Sequence, residues 1–467
     1  MGCRLNLNGN PLTEAIQVEL DKEKFLRTVT ITPDIQENFW ELPPFYHKTQ
    51  LLQLTDVHTP HPHIWNLYCK ILSLILYSYV RRSPFSRDVM QQRVEIAEQM
   101  RKGEFPENTP IGPTTALTAL IYGVSGTGKT STIRTILKQI NQVIHHTSYK
   151  AAPFKASQLT WVSFDLPPNG APKAMAANFF RAVDAALGTE YAKEWERKNN
   201  VSVDRHLSGM QQVAYEHHLG LVHIDELQFM LKYAKHKDSP SLQIIESLFN
   251  KIGIPIIQSC TEDGLEIFQQ LSSGDYRVGT DTTTLRRMLN DRSFKFSHHK
   301  IDSDYFDQLF NSLFPNALIY QNKQHNLKQF KSEFHRLSCG LPAMMVRLAG
   351  LHHEALLNTY SKPNTDKSIF HTFNVDILKT IYKNQFSLID PALQEYRYGN
   401  QQGYEKGVRS NSPRANFTNE EVSAAQTKNH TPSPPLNKAD PFNPQYPLSV
   451  APPDVKISSG FGETVDE

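Results

Sequence analysis

Residues 123–130 read Gly123-Val124-Ser125-Gly126-Thr127-Gly128-Lys129-Thr130, a complete match to G-x-x-x-x-G-K-[ST]. No other stretch of the chain limits its fold so tightly. An apolar run, Leu117–Tyr122, precedes the loop and a helical run, Ser131–Ile140, follows it. Strand, glycine loop and helix start, in that order, make a phosphate cradle. The glycines let the backbone curl so that successive N–H groups point inward, and the helix adds the positive end of its dipole. In this chemistry Lys129 reaches the β- and γ-phosphates and Thr130 ligates Mg²⁺. ATP and Mg²⁺ are therefore the expected cofactors.

A strand that opens such a loop needs parallel neighbours. Short β-branched runs recur at Ala116–Tyr122, Thr160–Phe164, Leu219–Ile224 and Ile252–Gln258, with helical stretches between them. The alternation predicts right-handed crossovers, hence an α/β P-loop fold whose parallel sheet is sandwiched by helices. The run Leu221-Val222-His223-Ile224-Asp225-Glu226 ends in two acids, which belong at the carboxyl edge of that sheet. Asp225 is expected to hold the Mg²⁺ water shell, and Glu226 to orient or deprotonate the water that attacks the γ-phosphate. Ile252–Gln258 leads into Ser259-Cys260-Thr261, where Thr261 is the first choice for a residue between metal and γ-phosphate and Ser259 the second. Arg286 and Arg287 precede a short β-like run, Ser293–Phe296, and one of them is expected to act as an arginine finger in a neighbouring subunit's site.

Four zones follow from composition and periodicity. Residues 1–103 read as a partly helical N-terminal extension. It holds one β-rich run, Thr28–Thr32, and an apolar stripe, Ile64, Leu67, Tyr68, Ile71, Leu72 and Ile75, that predicts a helix ending at Ser83-Pro84. Residues 104–300 hold the P-loop core and 301–398 a helical lid. Residues 399–467 carry nine prolines and no Trp, Cys or Met, so a flexible tail is expected there.

Charge and cysteines exclude some classes. Lys+Arg is 49 against 47 Asp+Glu, a formal net charge of +2, so only a local basic face is left for nucleic acid. Lys150, Lys155 and Lys173 are the candidates for DNA phosphate contacts. The four cysteines are scattered and form no CxxC pair, which removes a disulfide framework and a thiolate zinc site. The longest apolar run, Ile71–Val80, falls short of the ~20 residues of a spanning helix, so no membrane partner and a cytoplasmic chain are expected.

The loop, the Asp225-Glu226 strand and the order of hydroxyl and arginine candidates resemble an AAA+ ATPase. Three flanking segments, His61-Pro62-His63-Ile64-Trp65-Asn66, Tyr79-Val80-Arg81-Arg82-Ser83-Pro84 and Gly340-Leu341-Pro342-Ala343-Met344-Met345-Val346-Arg347-Leu348, are similar to those of the TnsC, TniB and MuB group. These are ATP-dependent target-selection regulators of bacterial transposons. Ser83 stands where TnsC proteins have asparagine. The resemblance implies a DNA-associated bacterial protein that assembles as a helix or a hexamer- or heptamer-like ring on double-stranded DNA. The N-terminal zone would receive a target-selector protein and the tail would recruit transposase subunits. A lid arginine near the γ-phosphate also belongs to many AAA+ proteins; position 343 here is alanine, and Arg347 is the nearest candidate. The alternatives are another DNA-associated AAA+ ATPase of helicase-loader or initiator type, a monomeric P-loop kinase, and a scaffold that binds nucleotide without hydrolysing it.

Overall fold

Five parallel strands carry the phosphate loop. They are β1 (Thr118–Gly123), β4 (Val162–Asp165), β5 (Val222–Asp225), β6 (Ile256–Cys260) and β7 (Ser293–Phe296), in the spatial order β4-β5-β6-β1-β7. The computed structural model describes residues 9–91, 94, 98, 117–168, 172–197, 202–230, 253–265, 293–319, 326–362 and 373–410. Arg286, Arg287 and the chain beyond 410 lie outside the described residues. Register fixes the chemistry: β4 pairs with β5 so that Asp165 meets Asp225, and β1 pairs with β6 so that Ile121 meets Ser259. All the site-bearing ends therefore share one edge, as parallel strands joined by crossovers require. Five of the expected runs are strands, each within a few residues of its expected place.

Each face of the sheet buries its own apolar cluster. On one face α6 (Pro172–Leu187), α7 (Tyr191–Arg197) and α8 (Val203–Glu216) cover Val162, Val222, Ile224 and Ile256. On the other face α4 (Ile64–Arg81) and α5 (Lys129–Lys138) cover Ala119, Ile121, Leu221 and Ile257, joined by the short α1 (Pro11–Glu14) and α2 (Lys22–Val29). The stripe on α4 is buried throughout: Leu67, Ile71 and Ile75 are each fully shielded. The N-terminal zone thus completes the core's second layer rather than standing apart from it. A fourth helix of that zone, α3 (Pro44–Leu52), packs against the lid.

The Tyr79–Arg82 segment is a clamp. Tyr79 Oη donates to the His218 carbonyl at 2.7 Å, and the Arg82 guanidinium donates to the Leu219 carbonyl at 2.7 Å and to Ser78 Oγ. Ser78 Oγ in turn donates to the Gly253 carbonyl at 2.9 Å. Those carbonyls sit just before β5 and β6. Gly220 has no room for a side chain, since a Cβ would lie 2.5 Å from both Tyr79 Oη and the Thr160 carbonyl oxygen. Burial lowers the Arg82 pKa to about 10, and its Nε and Nη2 groups are met by Ser78 Oγ and the Leu219 carbonyl.

Three expectations need correction. Thr28–Thr32 is not a strand: Thr28 and Val29 end α2, capped by Asp21 at its start, and only Ile31 makes a β-bridge, with His58. A two-stranded antiparallel hairpin, β2 (Val143–Tyr149) and β3 (Ala152–Leu159), was not foreseen. Its residues are half-exposed and mixed in polarity, so periodicity gives little warning. The tail does not begin at 399. After the lid helices α9 (Asp304–Leu313), α10 (Leu327–Ser338), α11 (Pro342–Tyr360), α12 (Val375–Gln385) and α13 (Asp390–Arg397), the chain forms one more, α14 (Gln401–Ser410). Tyr404 of α14 is buried in the lid's apolar cluster with Leu341, Met345 and Leu393.

Candidate active site

The loop between β1 and α5 is held open by local necessity. Gly123 has φ +154° and a Cβ there would lie 2.0 Å from the Phe296 carbonyl oxygen of β7, so only glycine fits. Gly128, at φ +89°, turns the chain into α5. The first amides of that helix, Lys129 to Ser131, have no acceptor within it. Lys129 is nearly buried and folds back over the loop, its Nζ donating to the Gly123 and Val124 carbonyls at 2.7 and 3.1 Å. Burial lowers the Lys129 pKa, against the pull of nearby acids led by Glu405.

The two acids of β5 lie across from the loop. Asp225 Oδ2 accepts from Thr130 Oγ1 at 2.7 Å, and its Oδ1 accepts from the Glu226 N–H and from Ser259 Oγ. Burial works to raise the Asp225 pKa, but His223 and the donors Ser259, Thr130 and Glu226 outweigh it and hold the carboxyl below its usual value. Behind Asp225 runs a directed chain of hydrogen bonds. Ser259 donates to Asp225, so it must accept from His223 Nε2 at 3.0 Å, which leaves His223 Nδ1 to accept from Ser163 Oγ at 2.8 Å. His223 is fully buried and burial lowers its pKa, which keeps the imidazole neutral and this tautomer fixed.

Glu226 sits in left-handed backbone at φ +61°, uncommon for a residue with a side chain. The turn lifts its carboxylate off the strand axis, where Gln228 Nε2 donates to Oε2. Burial and the neighbouring Asp225 raise its pKa, the direction a proton acceptor near neutrality requires. Gln228 also accepts from the Thr261 N–H at 3.1 Å. Of the two hydroxyls expected at the end of β6, Ser259 touches Asp225, whereas Thr261, just past the strand, lines the open cavity and accepts from Arg409 Nη2 at 2.9 Å.

A cavity of about 430 Å³ joins these groups. Its phosphate end is formed by Ser125, Gly126, Gly128 and Lys129, with Thr130, Asp225 and Glu226 beside them. Its other end was not legible in the sequence: Val57, His58 and Thr59 from the N-terminal zone face Tyr305, Leu309 and Val346 of the lid. The lid is tied to the loop directly, because the Ala343 N–H donates to the Gly126 carbonyl at 3.1 Å. Lid positions Pro342, Ala343 and Val346 line the cavity, but Arg347 is exposed and is not among its lining residues. The arginine that reaches this side is Arg409 of α14. Of the three lysines expected to meet DNA, two share the β2–β3 hairpin, Lys150 at its turn, 3.9 Å from Glu14, and Lys155 on β3, while Lys173 stands at the start of α6.

The residues fit a magnesium nucleotide. Thr130 Oγ1 and Asp225 offer the hard oxygen donors that Mg²⁺ takes, and the loop already holds an anionic oxygen, since the Ser125 N–H donates to Glu405 Oε1 at 2.6 Å. Residues 114–268 match the family described as AAA domain. The core has the AAA P-loop NTPase fold. Domains of this family bind and hydrolyse nucleoside triphosphates, typically with Mg²⁺. No curated protein matches the chain. Among solved structures it is similar to a Walker-type ATPase of Pyrococcus abyssi, at 14% identity and TM-score 0.33, over 68% of this chain and 78% of that one. It is also similar to the Drosophila ORC bound to DNA, at 9% identity and TM-score 0.33, over 75% and 83%. RuvB of Thermotoga maritima matches at 11% identity and TM-score 0.29, over 66% and 75%. Among the described residues no helix is long and apolar enough to cross a membrane.

Proposed function

We propose that the chain is an ATP-hydrolysing switch that assembles on double-stranded DNA and regulates transposition. The observation that carries the ATPase half is the Thr130–Asp225–Ser259–His223 chain facing the P-loop. Lys129 and the loop amides bind the phosphates, and Thr130 and Asp225 would hold Mg²⁺, which neutralises charge on the β- and γ-oxygens. Glu226, held by Gln228, orients water and takes its proton. Ser259 and His223 keep Asp225 ionised and aimed.

ATP rather than GTP is the reading the far end of the cavity supports. His58 Nδ1 lies 2.6 Å from the Val29 carbonyl, which can only accept, so Nδ1 carries the proton and Nε2 is left as an acceptor. Burial lowers the His58 pKa and keeps the ring neutral. An acceptor at the base end of the cavity suits the exocyclic amine of adenine and repels the O6 of guanine.

The DNA half rests on the segments around His61, Tyr79 and Gly340 that resemble the transposition regulators. In that reading one of Arg286 and Arg287 completes a neighbour's site, and Lys150, Lys155 and Lys173 meet DNA phosphates. The N-terminal zone takes a target selector and the tail takes transposase subunits. Electron microscopy of the full chain with duplex DNA and a slowly hydrolysed ATP analogue tests it. Rings or helices around the duplex are expected; particles that stay monomeric under every nucleotide refute the assembly.

A further inference from the structure

Helix α14 sets three side chains against Ser125 and Thr261, two residues that line the cavity. Tyr404 Oη donates to the Ser125 carbonyl at 3.1 Å, and Glu405, fully buried, accepts from both the Ser125 N–H at 2.6 Å and Ser125 Oγ at 2.8 Å. One turn on, Arg409 donates to Thr261 Oγ1 and lies 3.4 Å from Asp263. Residues 405 and 409 share a helix face, so one side of α14 touches both the phosphate loop and the residue that follows β6. The contact between Ser125 and Glu405 spans 280 positions of sequence and sits at the catalytic loop.

A buried carboxylate is costly unless donors compensate it. Here the donors are those a terminal phosphate would use. Lys129, the residue that reaches the β- and γ-phosphates, donates here to the Gly123 and Val124 carbonyls. A γ-phosphate oxygen and the Glu405 carboxylate are therefore rivals for the Ser125 amide, and two anions cannot share it. The amides that open α5 would hold the β-phosphate, and the hydrogen bonds that Glu405 accepts come from Ser125 instead.

We propose that Glu405 occupies the γ-phosphate position of the loop, so that α14 tolerates a nucleoside diphosphate and must leave for a triphosphate. The inference rests on the nucleotide reading above and deepens it. Glu405 becomes a specificity-determining residue that sets the preference between ATP and ADP. Departure of α14 also frees Arg409 from Thr261.

The test is titration calorimetry of the full chain with Mg²⁺ and either ADP or a non-hydrolysed ATP analogue, for wild type and Glu405→Gln. Glutamine keeps the shape and an acceptor for Ser125 but removes the charge. The variant is expected to bind the ATP analogue roughly tenfold tighter or more, with ADP affinity changed less than twofold. Hydrogen exchange over 401–410 in wild type is expected to rise with the ATP analogue and not with ADP. An equal change for both nucleotides marks Glu405 as a mere clamp and overturns the inference, as does an unchanged preference with unchanged exchange. A wild-type chain that binds neither nucleotide refutes the nucleotide site itself, and the inference with it.

Discussion

Replacing Ser259 with alanine cuts the buried chain at its hub. Ser259 is fully buried, donates to Asp225 and accepts from His223. The variant leaves the His223 Nε2–H without its partner, at roughly 1–3 kcal/mol for a buried unsatisfied donor, and removes a hydrogen bond to a charged group worth about 1.5–3 kcal/mol. Both losses share one hydroxyl, so about 2–4 kcal/mol is the sensible total, a fall in Tm on the order of 5–12 °C for the core. The deficit has a pH signature. Ser259 helps hold the Asp225 carboxyl below its ordinary pKa of 3.8. A lowered carboxyl pKa gives stability that is present above the unfolded value and is lost as pH falls through the folded value. Without Ser259 the Asp225 pKa rises toward or past 3.8, so the gap between variant and wild type is full at pH 7 and narrows as pH drops below about 4. Thermal melts of both proteins between pH 3.5 and 7.5 measure it. A Tm within 2 °C of wild type at pH 7, or a gap that widens in acid, refutes the hydrogen-bond chain as drawn.

Three further outcomes are expected. Glu226→Gln keeps nucleotide binding while steady-state phosphate release falls at least about 100-fold, the usual share of a general base; release at half the wild-type rate would remove Glu226 from that role. His58→Ala should narrow the preference for ATP over GTP by roughly tenfold, read by competition with a fluorescent nucleotide, because a well-placed base contact is worth about 1–3 kcal/mol of discrimination. Tyr79→Phe removes the hydroxyl that reaches the His218 and Leu159 carbonyls and should cost about 1–2 kcal/mol in urea unfolding; no loss would mean that the clamp before β5 is idle.

The sequence showed best what is local and contiguous. Eight consecutive residues spell the loop, and the strand ending in Asp225-Glu226 announces itself because an apolar run stops at two charges. The strands of a parallel sheet, shielded on both faces, read as unbroken apolar runs for the same reason. What escaped is what distance hides. Nothing around Gln401–Ser410 signals a contact with Ser125, since a single Glu on a polar helix looks like any solvated charge. The left-handed turn at Glu226 depends on tertiary surroundings, and Thr28–Thr32 has β-branched residues that α2 overrides through its Asp21 cap and the burial of Phe25 and Val29. His58 was visible only as part of a proline-rich histidine loop; its use follows from the Val29 carbonyl that sets its tautomer.

The Tyr79–Arg82 grip has a mechanical consequence. Its hydrogen bonds fasten the N-terminal helices to the feet of β5 and β6, while the heads of the same two strands bear Asp225 and Ser259. Each strand is only four or five residues long, too short and too tightly laddered to stretch. Whatever tugs on Ile64–Arg81 from outside therefore moves a pair of stiff rods whose far tips hold the chemistry, and the push runs equally in reverse.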